Sequence, residues 1–348
     1  MKFKFDQIAI NSTAKKKPEP KDAANYVGLE HLTPGTFEIS EWGSNVAPVG
    51  EKLLMKKGDV LFGRRRAYQR KVGIAPFDGI FSAHGMVLRP RAEVVDESYF
   101  PFFISSDQFM NEAVRISVGS LSPTINWGTL KNCEFDLPPM DEQKKLAELL
   151  WAANDLKEKY KKAITATDEM LKAKFREMFG EKSEFPYVSL ISVCRPRQWP
   201  TISTKDFTET GFPVYGANGQ IGRYTKYNHL NPTVLIACRG ASCGAINISV
   251  EKSYINGNAM ALDDLNIEKY EFKYFAYLLK EYDFQHIIGG SAQPQITRDG
   301  LSQVFIPLPP LALQREFVAI AEKAEAAKTA LKKSIADIDQ VMKGLING

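Results

Sequence analysis

The residues most able to do chemistry in this sequence are cations and amides gathered at short spacing. The run RRRAYQRK (64–71) places Arg64, Arg65, Arg66, Arg70 and Lys71 within eight positions, with Tyr68 and Gln69 among them. Phosphates attract such a cluster, while an arginine fork or a glutamine amide matches a guanine or adenine edge in the major groove. Five like charges equally suit a solvated hairpin tip, so the run by itself leaves both readings open. At the matching place in the second half lies CRGASCG (238–244), where Arg239 is the single cation and Gly240 allows close backbone approach. The segment GANGQIGRYTKY (216–227) adds Asn218, Gln220, Arg223, Tyr224 and Lys226 on a glycine-rich loop that a plain turn would also explain. Ser120, followed by Thr124 and Asn126, and Ser291, followed by Gln293 and Gln295, sit on two similar loops. These either face a groove in both halves or form a repeated turn that orients each domain.

Sets that would carry catalysis are missing. No Asn/Asp-Pro-Pro-aromatic loop is present to hold an adenine amino group for methylation, and no GxxxxGK[ST] cradle to hold a nucleotide. His31, His84, His229 and His286 are far apart and form no HExxH or His/Cys cluster, so each reads as a surface or core histidine. Cys133, Cys194, Cys238 and Cys243 lack CxxC spacing, which favours free thiols in a reducing cytoplasm. No run of 18 apolar residues exists to span a membrane, and the start MKFKFDQIAI has no signal-peptide core, so no export is expected. A net charge of +4 with pI near 8.6 permits a nucleic-acid partner without demanding one.

Behind these loops stands an internal repeat. Displaced by 171 positions, GSLSPTINWGTLKNCEFDLPPMDEQ (119–143) falls on GSAQPQITRDGLSQVFIPLPPLALQ (290–314) without a gap, with nine of 25 positions identical. Lys157/Lys328, Lys161/Lys332, Lys162/Lys333, Ile164/Ile335 and Asp168/Asp339 continue the match, and Val60-Leu61 and Met86 meet Val234-Leu235 and Met260 at an offset of 174. The chain is a duplicated unit of about 170 residues, and two copies suit a pseudo-twofold arrangement better than a solenoid. In each copy short β-like runs, DVLFG (59–63) and TVLIA (233–237), precede a Leu-Pro-Pro stop and a long helix. Leu146, Leu149, Ala153, Leu156, Tyr160, Ala163, Thr167 and Met170 recur at spacings of three and four, as do Phe317, Ile320, Ala324, Ala327, Leu331, Ser334, Ile338 and Val341. Those are coiled-coil seams, and the two helices are expected to pack on each other antiparallel. The fold class is α+β: two mixed α/β domains (1–140 and 181–310) separated by two long antiparallel coiled-coil helices (141–180 and 311–348). Such an arrangement would place the domains at opposite ends. Helix pairing and subunit docking fall to Leu146, Leu149, Leu156, Tyr160, Phe317, Ile320, Leu331 and Ile338.

Over essentially its full length the chain resembles the specificity (S) subunit of Type I restriction-modification systems. The resemblance rests on VGLEHLTPG (27–35), KKGDVLFGRRRAYQRKVGIAPFDGIFSAHGMVLRP (56–90), GSLSPTINWGTLKNCEFDLPPMDEQKKLAELL (119–150), PVYGANGQIGRY (213–224), TVLIACRGASCGAINI (233–248) and the proline-proline-to-helix stretch at 307–320. It implies two target recognition domains, each reading one half of a split site in double-stranded DNA, with the helices as spacer and docking surface for methyltransferase (M) subunits, two in number. The loops differ between the halves more than the helices do, so the expected site is not a palindrome. The resemblance implies no catalysis and no cofactor bound by this chain. S-adenosylmethionine, ATP and magnesium would serve partner subunits, with restriction (R) subunits left open as further partners and the cytoplasm as the location. Met1 to Ala9 would do the work of Phe185 to Cys194, and the end at Gly348 would trim the second helix slightly. Two other readings are weighed against this one. One is a recognition fragment of a fused restriction-methyltransferase, whose catalytic domain would have to share the polypeptide, and a chain taken as complete from Met1 has no room for it. The other is a coiled-coil scaffold whose terminal domains bind protein.

Overall fold

The computed structural model describes residues 1–46, 48–180, 184–290 and 293–347. The chain divides into two compact units, one of Met1–Lys162 with Leu331–Gly348, the other of Ala163–Ala330. The divisions fall inside the two long helices, so each helix contributes one part to either unit.

Both units are built on one plan. In the first, β1 (Ala9–Ser12), β2 (Val60–Phe62), β3 (Val72–Ile74) and β4 (Met86–Pro90) form an antiparallel sheet in the order β1-β4-β2-β3. In the second, β5 (Arg195–Gln198), β6 (Val234–Ala237), β7 (Ile246–Ile248) and β8 (Ala259–Asp263) repeat it as β5-β8-β6-β7. Every residue of β2 and β6 is buried, which is why DVLFG and TVLIA read as unbroken apolar runs rather than alternating ones. A second small sheet lies against each, with one parallel pairing apiece: Tyr26–Val27 beside Gly79–Phe81, and Phe212–Gly216 beside Tyr254–Ile255. Apolar side chains of the two sheets meet in the first unit as Val27, Leu53, Met55 and Phe81 against Leu61 and Val87. The segment GANGQIGRY is a β-hairpin, Phe212–Gly216 paired with Gly219–Tyr224, rather than the loop expected from its glycines.

The chain start has the expected role. Lys2–Lys4 pairs antiparallel with Glu134–Asp136, and Tyr187–Ser189 pairs in the same way with Phe305–Pro307. Phe5 just beyond is fully buried, its ring 5.2 Å from Phe109 and 5.7 Å from Phe135.

After the paired prolines come the long helices, Met140–Phe179 (the central helix) and Leu311–Asn347 (the C-terminal helix). The glutamine four residues past the second proline locks each helix to its domain. Gln143 Nε2 donates to Pro138 O (2.9 Å) and Val94 O (3.2 Å), while its Oε1 accepts from Asp96 N (2.9 Å). Gln314 Nε2 donates to Pro309 O (2.8 Å) and Lys269 O (2.9 Å), and its Oε1 accepts from Glu271 N (2.8 Å). Both side chains are buried, so the motif Pro-Pro-x-x-x-Gln is a polar latch with each hydrogen-bonding group answered.

The seam of the helices corrects the reading made from apolar residues alone. On the central helix the buried line runs through Gln143, Ala147, Leu150, Asn154, Lys157, Leu171 and Phe175, the same three-and-four rhythm one position later. Leu149 (57% exposed) and Leu156 (41%) face away from it, while Leu146 and Tyr160 are half-buried at its margin. On the C-terminal helix Phe317 and Ala324 are buried and Ile320, Leu331 and Ile338 half-buried, but Lys328 and Met342 replace the expected Ala327 and Val341. The misplacement has a plain cause. The seam carries buried lysines, which an apolarity rule passes over. In the first unit Lys157 Nζ reaches Asp339 Oδ1 and Gly35 O, each at 2.9 Å; in the second, Lys328 Nζ reaches Asp168 Oδ1 at 2.5 Å. Burial alone would lower the Lys328 pKa, but hydrogen bonds to Asp168 and Glu325 hold it above the usual lysine value. These pairs exchange when the two repeats exchange. Within the second unit Asp168 meets Lys328 and Phe175 meets Phe317 (ring centroids 5.2 Å apart), so numbers rise along one helix as they fall along the other, and the helix segments there are antiparallel.

Candidate nucleic-acid interface

In the first unit RRRAYQRK wraps a short turn at Ala67–Gln69 whose flanking residues, Arg66 and Arg70, are both left-handed (φ 57° and 52°). The loop sorts its cations into two groups. Arg70 Nη2 donates to Asp107 Oδ1 (2.7 Å) and Ser105 O (3.0 Å), Lys71 Nζ donates to Leu29 O (2.6 Å), and Arg64 Nη2 donates to Ala83 O (3.1 Å). These three were expected at DNA; in the fold each is bonded to the chain itself, with Arg70 exposed and Arg64 and Lys71 half-buried. Arg65, Arg66 and Tyr68 are exposed, and Gln69 is half-buried. His84 reports the local field: burial first, then the positive charges of Arg65, Arg64 and Lys52, hold its pKa below the usual value.

Beside this loop lies the Gly119-Ser120 turn. Val118 and Thr124 exchange backbone hydrogen bonds of 3.1 and 2.9 Å, closing a tight loop with Ser120 exposed near its tip. Two further bonds brace it against the arginines, Arg66 N to Pro123 O (2.7 Å) and Ile125 N to Arg64 O (3.0 Å). Arg66 Nε also donates to Ser122 Oγ at 3.3 Å.

The second unit builds this scaffold again, bond for bond. Gly289 and Gln295 exchange hydrogen bonds of 2.9 and 2.8 Å, Gly240 N donates to Pro294 O (3.1 Å), and Ile296 N to Cys238 O (3.1 Å). The left-handed positions recur as Gly240 (φ 83°) and Gly244 (φ 92°). Where one repeat uses glycine, the conformation is free; where the other uses Arg66 and Arg70, each costs roughly 1–2 kcal/mol. The arginine side chains are therefore retained for what they do, Arg70 as a latch on Asp107 and Arg66 outward. Burial would raise the Asp107 pKa, but the Arg70 hydrogen bond and charge, with Lys343 beside them, bring it below the usual carboxylate range.

The second unit presents different groups. Arg239 and Gln293 are exposed; Ser291 lies outside the described residues. Asn218 sits exposed at the hairpin tip with Gln220 and Arg223 on the following strand, where Arg223 Nη1 donates to Gly211 O (2.8 Å) and Tyr224 is half-buried against Tyr254. A basic groove missed in the sequence lies on β5. Arg195, Arg197 and Arg298 line a cavity of about 260 Å³ together with Gln198, Gln295 and Thr297. The strand sequence Arg-Pro-Arg-Gln puts Arg195 and Arg197 on one face, since side chains alternate along a strand. That alternation was visible in the sequence; the approach of Arg298, about a hundred residues on, was not. Arg197 also lies over the Trp199 ring, 5.0 Å from its centroid. His229, read as a surface or core histidine, is buried and bonded to Asp263 Oδ1 (2.9 Å) and Asn228 Oδ1 (2.7 Å).

A domain made twice on one backbone plan, with different polar groups at the same rims, is the design of a duplicated recognition protein. The model of the Type I restriction modification DNA specificity domain matches the chain at residues 5–166 and again at 182–340, and the chain belongs to that family. It is similar to the putative type I restriction enzyme MjaX specificity subunit of Methanocaldococcus jannaschii, 24% identical over 390 residues that cover 98% of this chain and 89% of that one. The MjaIX specificity subunit of the same organism is 24% identical over 349 residues, covering 87% and 78%. Among solved structures, the S subunit of the Type-I restriction-modification system from M. genitalium aligns with a TM-score of 0.64 at 15% identity, covering 99% of this chain and 94% of that one. A chain from a structure of the type I R-M system, solved to explain its assembly and conformational transition, aligns at 0.62 and 20%, covering 99% and 96%. These two share the fold expected from the sequence. The role the family carries is DNA sequence specificity in a type I restriction-modification system. Among the described residues no helix is long and apolar enough to cross a membrane.

Proposed function

We propose that this chain directs a methyltransferase and restriction complex to a bipartite, non-palindromic DNA site, each unit reading one half, without catalysis of its own. One observation carries the reading. A single loop scaffold, matched hydrogen bond for hydrogen bond, presents Arg65, Arg66 and Tyr68 in the first unit but Arg239 and Gln293 in the second, where the Arg195–Arg197–Arg298 groove lies beside it. Equal frames with unequal reading groups suit two different half-sites. In this reading the partners are double-stranded DNA, two M subunits and R subunits. The chain itself holds no cofactor, and S-adenosylmethionine, ATP and magnesium are used by the partners. The experiment is to express the chain with its methyltransferase partner and sequence the methylated motifs. One split, asymmetric motif is the expected result. A palindromic motif would refute the two-reader model, and an assembled complex that neither methylates nor binds DNA would favour the protein-binding scaffold instead. Methyl transfer by the purified chain alone would refute the absence of catalysis.

A further inference from the structure

Leu121 is 90% exposed and its neighbour Val118 62%, on the loop that carries Ser120. An apolar side chain in water at the tip of a loose loop would mean little. This loop is not loose: the Val118–Thr124 pair closes it, the Arg66–Pro123 and Ile125–Arg64 bonds brace it from the side, and Thr124 Oγ1 donates to Ser122 O at 3.1 Å. Gly119 (φ 112°) supplies the sharp bend that projects the tip. On the bracing segment stand the exposed Arg65 and Arg66. A leucine held rigidly outward next to paired cations has the form of an apolar wedge: the cations seat on phosphates and the side chain enters a base step, unstacking it.

We infer that Leu121 is such a wedge, opening one base step in or beside the half-site read by the first unit; the inference rests on the DNA-reading function proposed above. The second repeat has Ala292 at the equivalent place in the sequence, a side chain too short to wedge. The deformation is therefore one-sided, and the two half-sites are read by different means: stacking disruption plus contacts in one, contacts alone in the other. Specificity at the wedged step then follows from how easily that step unstacks, which favours pyrimidine–purine steps without a base-edge hydrogen bond.

The test uses the full chain assembled with its methyltransferase partner. Duplexes carry 2-aminopurine in turn at each adenine in and around both half-sites except the methylated ones, which the methyltransferase itself flips out of the stack, and fluorescence reports unstacking on binding. The wild-type complex should give a several-fold rise at one position by the first unit's half-site and none by the other. Leu121→Ser should abolish the rise while the complex still assembles, and Leu121→Met should keep it. Specific binding with flat fluorescence everywhere would overturn the wedge alone, as would a rise that survives Leu121→Ser. Failure of Leu121→Ser to assemble with the methyltransferase would place the loop against protein and overturn it too. A wild-type complex without sequence-specific binding would remove the DNA-reading function and the wedge with it.

Discussion

Replacing Gln143 by alanine tests whether the latch after the paired prolines fastens helix to domain. The substitution removes three hydrogen bonds and leaves Asp96 N, Val94 O and Pro138 O to find other partners in a buried place. Each unanswered buried group costs about 1–3 kcal/mol, and local relaxation recovers part of it, so a net loss of about 2–4 kcal/mol is expected. For a unit of this size that lowers the melting temperature by roughly 4–16 °C. Gln314→Ala should match it in the second unit, because its three partners have the same geometry. Glutamate at either place keeps the acceptor but turns an oxygen toward two carbonyls, so at neutral pH it should rescue nothing. Calorimetry reads the size of the effect and amide hydrogen exchange its place: the Asp96 amide should lose protection in Gln143→Ala, and the Glu271 amide in Gln314→Ala. Melting shifts below about 1 °C with both amides still protected would refute the argument that this motif is a latch.

Arg66→Gly copies the second repeat at a left-handed position, so stability should stay level or rise by up to about 1 kcal/mol while DNA binding by the assembled complex weakens; a destabilised variant, seen by thermal melting, would count against backbone strain there. Replacing Arg195, Arg197 and Arg298 by alanine together should flatten the log–log salt dependence of binding by up to about 2.7, at ~0.9 per lost phosphate contact, and an unchanged slope would show that the β5 groove faces no DNA. Asp107 is held below the usual carboxylate range in the folded state, so its contribution to stability is complete above the unfolded carboxylate value and fades as pH falls through the lowered one. Arg70→Ala should raise the Asp107 titration, followed by NMR, back toward the ordinary carboxylate range and reduce the acid-side stability loss assigned to it.

Much of the architecture was legible in the sequence because it is stated twice. The offset of 171 exposed the repeat, Leu-Pro-Pro marked where strand gives way to helix, and the apolar runs DVLFG and TVLIA marked strands buried on all sides. Local chemistry decides these features: proline geometry, side-chain period and the apolar content of a run are carried by neighbours along the chain. The seam phase was not legible, since Lys157 and Lys328 are buried only because Asp339 and Asp168 reach them from the other helix. Nor could RRRAYQRK say which of its cations were free. Arg70 became a latch when Asp107 arrived beside it, and Arg64 and Lys71 were taken by the carbonyls of Ala83 and Leu29. The groove of Arg195, Arg197 and Arg298 likewise exists only once the fold has brought a strand and a distant turn together. Sequence alone determined which elements form and that they form twice. Tertiary structure decided which charges are spent inside the fold and which remain for a partner, because an ion pair or a carbonyl contact depends on distance in space, and the chain order of its members does not record that distance.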